Sequence, residues 1–388
     1  MRTKSRVLVY HNQPLPISET FVYNQCLQLK RFEVFFLGSK LPGGAHIELP
    51  VERLRLVSQG GPIGRVREAA LKLGGYLFPD VVTWVREVDP ALIHAHFGPD
   101  GAVIMATARR LQLPLVVSFQ GTDATMKDEY IRHSYLRHRI YLRRRDRLIQ
   151  SVDCVIVQSD FLWKKVTAQG FPESKIQLVR HGIDLDQFAP SGQKPEWGRV
   201  LFVGRLIELK GLHLLIEALR HVRQRFPDVQ LVVIGDGPQR EEYEAQAVRH
   251  LGYGFEFLGA QPHKVVKEYL EGAYLFSMPS VTMPSGVAES LGLVFLEAQA
   301  MRVPVVSFRS GGIPEVVVHG QTGLLAKEGD VEGLAHHLLT LLENPELRDR
   351  MGRAGRQWVE RHFDLEAQNA KLESVYDQVL ARCRQPQD

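Results

Sequence analysis

Val200-Leu-Phe-Val203, then Gly204-Arg205-Leu206-Ile207-Glu208-Leu209-Lys210-Gly211, then Leu212 to Arg225 read in succession as a strand, a turn with glycine at each end, and a helix. Four apolar residues without polar alternation suit a strand covered on both faces. Leu212, Leu215, Ile216 and Leu219 then recur at spacings of three, one and three, a helical stripe. The same order holds downstream, where Gln230-Leu-Val-Val-Ile234, Phe255-Glu-Phe-Leu258, Ala273-Tyr-Leu-Phe276 and Pro304-Val-Val-Ser307 predict further strands. Upstream, Arg6-Val-Leu-Val-Tyr10, Ala91-Leu-Ile-His94, Leu115-Val-Val-Ser-Phe119 and Cys154-Val-Ile-Val157 do so again. Strand, helix, strand repeated through both halves predicts two doubly wound, Rossmann-like α/β domains that face each other across a cleft.

The length, 388 residues, agrees with two domains at roughly 150 residues each. Two prolines and two glycines between Ala189 and Gly198 interrupt the periodicity. The expected division is therefore residues 1–189, a linker at 190–198, a second domain at 199–365, and a helix over 366–388 that packs back on the first domain. Cys26, Cys154 and Cys383 are odd in number, far apart and without a C-x-x-C, which speaks against a disulfide framework or a thiolate zinc site and for a reducing cytoplasm. The apolar run Val7-Leu-Val9 is too brief for a secretory signal, and none of the apolar runs approaches the roughly 20 residues that cross a bilayer. Forty-eight basic against 44 acidic residues leave +4, too little to identify a partner by global charge.

In open α/β sheets ligands bind beyond the carboxyl ends of the strands, so the turns there carry the chemistry. Arg205 and Lys210 stand on one such turn, with Gly204 and Gly211 letting the backbone fold tightly. A guanidinium fork and a compact ammonium beside a helix N-terminus suit a diphosphate. In Glu289-Ser290-Leu291-Gly292-Leu293, a helix starting near Ser290 would make Ser290 its N-cap and turn the amides of Leu291, Gly292 and Leu293 toward an anion. Glu289 and Glu297, eight residues apart, would then be separated by about 12 Å of rise and about 80° of rotation. That is too far to share a proton but suited to gripping two ends of an elongated ligand. Ser310-Gly311-Gly312 offers further amides. Gly235-Asp236-Gly237 echoes a dinucleotide fingerprint, but Arg240 occupies the third glycine's place, which disfavours a nicotinamide site.

Taken in order, the 204–211 turn, Gly235-Asp-Gly-Pro238, Leu258-Gly259, Pro279-Ser280, the pair Glu289 and Glu297 followed by Ala298, Pro304-Val-Val306 and Gly311-Gly-Ile-Pro-Glu-Val-Val317 resemble the second half of GT4-type retaining nucleotide-sugar glycosyltransferases, which have the two-domain GT-B fold. Val179-Arg-His-Gly-Ile-Asp184 with Phe188 is similar to the family as well, and Leu15-Pro-Ile-Ser-Glu-Thr-Phe21 to its exopolysaccharide-assembling members. The resemblance implies a UDP-, GDP- or ADP-sugar donor and a glycan or lipid-linked acceptor. By it, Arg205 and Lys210 hold the donor diphosphate, Glu297 the ribose, and Glu289 with Ser290 and the amides around Gly292 the sugar. The base sits near Phe257 and Leu258. It also implies electrostatic help to a leaving diphosphate without a metal or other cofactor. Asp184-Leu185-Asp186 has the letters of a D-x-D metal motif, but lies inside the His181 to Asp184 turn and is not expected to bind one.

The acceptor side departs from the family. Gln120, in Gln120-Gly-Thr-Asp123, replaces the usual histidine and cannot take a proton at neutral pH. Two other readings therefore stay open: an epimerase or isomerase of the same plan, or a non-catalytic sugar-nucleotide binder. Pro14-Leu-Pro16 replaces a glycine pair, which weakens Ser18 to Thr20 as diphosphate contacts. His96 is expected to line the cleft as an acceptor contact with Gln120 and Asp123, and His94 to be packed or hydrogen-bonded, with no third ligand for a metal. Arg132 to Arg147 contains seven arginines against one acid, Asp146, with apolar residues interleaved. On a helix this forms a basic amphipathic surface for an anionic membrane, favoured over nucleic acid by the implied lipid-linked acceptor. The expected location is the cytoplasm, peripheral to the inner face of the plasma membrane.

Overall fold

The structure, a computed structural model, describes residues 4–13, 20–40 and 51–384. Most of the Leu15 to Phe21 motif, Ser18 included, lies outside them. The chain divides into two compact units: Met1–Gly182 with Glu366–Asp388, and Ile183–Leu365.

The described residues of the first unit form seven strands: β1 Ser5–His11, β2 Phe32–Gly38, β3 Leu54–Leu56, β4 Leu92–His96, β5 Leu115–Phe119, β6 Cys154–Val157 and β7 Ile176–Leu178. They form one parallel sheet in the order β3-β2-β1-β4-β5-β6-β7. Alternate residues of each strand enter opposite cores, as a period of two requires. Leu8, Tyr10, Ile93, Val117 and Val155 join one core, and Val7, Val9, Leu92, Val116 and Ile156 the other. The second core is closed by the last helix, Leu365–Arg384, through Leu372, Val375, Tyr376 and Val379. Polar ties add to that packing: Glu373 accepts from the Arg31 backbone amide at 2.6 Å, and the Tyr376 hydroxyl lies 2.7 Å from His94 Nδ1.

The second unit contains β8 Arg199–Val203, β9 Gln230–Ile234, β10 Phe255–Phe257, β11 Leu275–Ser277, β12 Val305–Arg309 and β13 Gly323–Lys327. These pair in parallel in the order β10-β9-β8-β11-β12-β13. Chain direction across both sheets reverses once, between β1 and β4 and between β8 and β11. Beyond those strand ends a doubly wound sheet leaves room for a ligand.

The chain changes unit at Gly182–Ile183, ahead of the proline-rich 190–198 stretch. That stretch is tied to the second unit, with the Glu196 amide donating to the Gly272 carbonyl at 3.0 Å. Entry and exit of the second unit are paired: Ile183 N donates to Phe363 O at 2.8 Å and Leu365 N to Ile183 O at 3.1 Å. Among the described residues no helix is long and apolar enough to cross a membrane.

Candidate active site

At the switch point of the second sheet, three turns are drawn together by backbone contacts. Leu206 N donates to Asp236 O at 2.9 Å, and Val281 N to Leu209 O at 2.9 Å, which joins the turn after β8 to those after β9 and β11. Gly211, at φ +71°, lies so close to the β11 turn that a Cβ would stand 1.9 Å from Pro279 O. This brings Lys210 Nζ onto Glu289 Oε2 at 2.5 Å, with their side chains only 18% and 11% exposed. Ser280 Oγ is 3.5 Å from the same oxygen.

The turn after β12 fixes Glu289 from the other side. Gly312 N donates to Glu289 O at 2.8 Å, and a Cβ on Gly311 or Gly312 would meet Glu289 O at 2.2 Å or Ser290 O at 1.9 Å. The Gly312 amide is thus spent on the backbone rather than offered to an anion. Two expectations are corrected here. The helix begins at Leu293, not near Ser290, and its N-cap is Gly292 at φ +80° with no side-chain cap. Ser290 is therefore not the N-cap, and Glu289 and Glu297 do not share a helix, so the 12 Å and 80° projection does not apply. The reason is the clamp: the Glu289-Ser290 backbone is held against Gly311 and Gly312, and the left-handed Gly292 has to turn the chain before a helix can start. Among the described residues the amides of Leu291, Gly292 and Leu293 meet no acceptor.

Arg205 is exposed and has no side-chain partner among the described residues. Phe257 ends β10 and Leu258 follows it, two strand positions from β8, about 10 Å at the usual strand spacing. Both are half-buried against the unit's core, and Leu258 N is tied to Val233 O at 2.9 Å. Glu297, on helix Leu293–Ala300, is buried, with His263 Nδ1 the nearest basic atom at 3.9 Å. Burial lifts its carboxyl pKa to about 7.

That shift yields a pH prediction. Below about pH 4.3 Glu297 is protonated in folded and unfolded chains alike; above it the unfolded chain releases the proton, which the folded chain keeps until about pH 7. The stability the group contributes is therefore complete at low pH and is lost as pH rises through 7, by on the order of 3 kcal/mol. Glu297→Gln removes this dependence, so the variant gains on the wild type between pH 5 and pH 8 in thermal melts. A difference between the two that stays constant with pH would contradict the buried, protonated carboxyl.

In the first unit, Gln120 joins two histidines. Its Oε1 accepts from His181 Nε2 at 2.7 Å and its Nε2 donates to His96 Nδ1 at 3.2 Å. His96 Nε2 then faces Cys26 Sγ at 3.9 Å, and His94, its ring 4.2 Å from that of His96, also bonds Ser118 Oγ at 2.7 Å. Burial holds His181 at about 4 and His94 at about 3, and His96 well below the usual imidazole range, so all three are neutral at pH 7. His181 has no local signal that marks a role, because its partner Gln120 lies 61 residues away in sequence.

Two acceptor-side candidates are enclosed in this structure. His96 is fully enclosed and bonded to Gln120. Asp123 is buried too, its carboxylate accepting from the amides of Gly98, Gln120 and Gly121 at 2.8, 3.0 and 2.9 Å. These bonds shape the turn that carries Gln120. Asp184 likewise serves a turn, accepting from the amides of Asp186 and Gln187 at 3.1 and 2.9 Å. No three His, Cys, Asp or Glu side chains converge on a metal position among the described residues.

The basic segment is helical from Leu136 to Ser151 only. Two of its arginines face inward, correcting the picture of one continuous basic surface. Arg145 makes two 2.8 Å bonds to Asp128, and Arg144 donates to the carbonyls of Lys72 at 3.1 Å and Ala102 at 3.4 Å.

Comparison with known proteins agrees with this geometry. Residues 185–358 match the family model "Glycosyl transferases group 1", and residues 18–187 match "Glycosyltransferase Family 4". The putative colanic acid biosynthesis glycosyltransferase WcaL of Escherichia coli is 32% identical over 295 residues, 72% of this chain and 69% of its own length. The amylovoran biosynthesis glycosyltransferase AmsK of Erwinia amylovora is 32% identical over 292 residues, 72% of this chain and 67% of its own. Among solved structures, Anabaena HepE in complex with UDP and glucose superposes with a TM-score of 0.75 at 19% identity, covering 96% of this chain and all of that one. The chain belongs to the GT4-type glycosyltransferases of the GT-B fold and is a hexosyltransferase.

Proposed function

We propose that the protein is a retaining enzyme that moves a hexosyl group from a UDP-, GDP- or ADP-sugar to a hydroxyl of a lipid-linked glycan during exopolysaccharide or cell-surface polysaccharide assembly. The names of WcaL and AmsK support the assembly role, and the ligands of HepE make UDP the first donor nucleotide to try. The observation that carries the reading is the Lys210–Glu289 pair at the switch point, flanked by the free amides of Leu291, Gly292 and Leu293.

In this reading Arg205 and Lys210 take the donor diphosphate, Glu289 with Ser290 and the Gly292 amides the sugar, and Glu297 the ribose hydroxyls. Gly204 keeps the diphosphate turn tight, while Phe257 and Leu258 flank the base. As the bond from the anomeric carbon to the leaving oxygen breaks, its electron pair passes to the diphosphate, whose growing charge the two cations and the amides stabilise. The acceptor oxygen bonds to the same face of that carbon. Because Gln120 cannot accept the hydroxyl proton, the proton goes to the departing phosphate oxygen. Fixed cations do the work of a divalent ion, so the reaction is metal-independent. The acceptor arrives at an anionic membrane surface met by Arg132–Arg147, with no nucleic-acid partner.

The test combines a thermal-shift series against UDP, GDP and ADP with NMR of the product. One nucleotide at 100 times its Kd adds about 2.7 kcal/mol of stability. The product keeps the donor's anomeric configuration, and EDTA leaves the rate unchanged. Stabilisation by none of the three would refute the donor site, and an inverted product would refute retention. Donor isomerised without any acceptor would select the epimerase reading instead.

A further inference from the structure

Three polar side chains of the first unit meet at the carboxyl ends of strands, where open α/β sheets take their ligands. His96 ends β4, Gln120 follows β5, and His181 lies three residues beyond β7. The segment with His181 is held from two sides: Val179 N donates to Val157 O at 3.0 Å, and Arg180 N to Gln368 Oε1 at 3.2 Å on the last helix. The Gln120 amide is held in turn by the Asp123 carboxylate at 3.0 Å. Both ends of the 2.7 Å bond between Gln120 and His181 therefore stand on anchored backbone.

A glutamine side chain offers two N–H groups and two carbonyl lone pairs. His181 Nε2–H occupies one lone pair of Gln120 and His96 Nδ1 takes one of its N–H groups, and the side chain has no third partner among the described residues. A half-turn of the terminal amide costs an unbound glutamine little. Here it is blocked, because it would set the NH2 against the His181 N–H and the carbonyl oxygen against the His96 lone pair. Gln120 is the half-buried member of the trio, whereas His181 and His96 are enclosed. It keeps one donor and one acceptor in a fixed orientation, the complement of a sugar hydroxyl, which itself both donates and accepts.

We propose that His181 is a positioning residue of the acceptor site, locking the Gln120 amide against His96 so that its remaining donor and acceptor meet a hydroxyl of the incoming glycan. The proposal rests on the acceptor-side reading of Gln120, and the two fail on different results.

The experiment measures transfer of radiolabelled hexose from UDP-glucose, GDP-mannose and ADP-glucose by the full chain into lipid extracted from membranes of the cells that produce it. Each variant is assayed well below its own Tm. His181→Phe keeps a ring but donates nothing; it is expected to lower transfer at least about tenfold while keeping the wild-type thermal shift with UDP. His181→Asn, too short to reach Gln120, does the same and serves where the phenylalanine variant folds poorly. His181→Gln, whose amide donates at a reach similar to that of the imidazole, keeps about a third or more of the rate. In a Gln120→Leu background, His181→Phe costs less than about twofold further, because the group it acts through is gone. An equal loss with and without Gln120, or near-wild-type transfer by both His181→Phe and His181→Asn, would overturn the proposal and leave the acceptor reading standing. Absence of wild-type transfer into lipid from any of the three donors would overturn the acceptor reading and the proposal together.

Discussion

Lys210→Ala is expected to lower sugar transfer by about 10²–10³-fold, the usual cost of removing one fixed group that stabilises transition-state charge. The Lys210–Glu289 pair is largely shielded from water, so the substitution has a second effect. It leaves the Glu289 carboxylate with Ser280 Oγ at 3.5 Å and no cation in contact. An under-satisfied, mostly buried carboxylate costs about 1–3 kcal/mol, which in a unit of this size lowers Tm by roughly 3–10 °C. The two effects separate in the double variant Lys210→Ala/Glu289→Gln. Neutralising the carboxylate returns most of the lost stability, because a neutral amide tolerates burial far better than an unpaired charge. Transfer stays low, because nothing replaces the ammonium at the leaving group. If Lys210 only held the fold, the single variant Lys210→Ala would transfer sugar at close to the wild-type rate when assayed well below its lowered Tm, and that is the result that would remove the mechanism.

Gly211→Ala is expected to be strongly destabilising, at more than about 3 kcal/mol and a Tm loss of roughly 6–12 °C. Two costs coincide. An L-residue at φ +71° pays about 1–2 kcal/mol for the left-handed conformation. The added Cβ would also stand 1.9 Å from Pro279 O and 2.8 Å from Pro279 C, which are backbone atoms that no rotamer change can move. The turns after β8 and β11 must then separate, which breaks the Val281 N to Leu209 O bond and draws Lys210 away from Glu289. Transfer therefore falls together with stability. Gly329→Ala is the control: its φ is +80° but nothing lies within 4 Å of the added carbon, so only the conformational cost applies. Equal losses in the two variants would show that the approach to Pro279 is no constraint.

Local pattern was enough for much of the architecture. A run such as Val200 to Val203 is apolar because both faces of a parallel strand are covered, and that property is written in consecutive residues. Strands β1, β4, β5, β6, β8, β9, β10, β11 and β12 were all visible as short apolar runs, as was the last helix. Strands β2, β3, β7 and β13 were not apparent from the sequence. β3 and β7 have three residues each, and β2 carries Glu33 within its run, so their apolar signal is short or interrupted. The turn with Arg205 and Lys210 was legible because glycines mark where the backbone bends sharply.

What needed the folded chain is every fact that depends on two turns meeting. Lys210 and Glu289 are 79 residues apart, Gln120 and His181 61 apart, and His94 and Tyr376 282 apart. The helix start at Leu293 likewise depended on Gly311 and Gly312, which lie outside the local window that favours Ser290 as a cap. His96 and Asp123 seemed available to a substrate because residue type says nothing about enclosure, and Arg144 and Arg145 looked like surface charge for the same reason. Sequence alone therefore determined the strand–turn–helix repeat, the family and the side chains on offer, since these follow from short-range periodicity and turn chemistry. Tertiary structure alone decided which of those side chains pair, which are buried and which face water, because burial and pairing are properties of distant segments brought into contact.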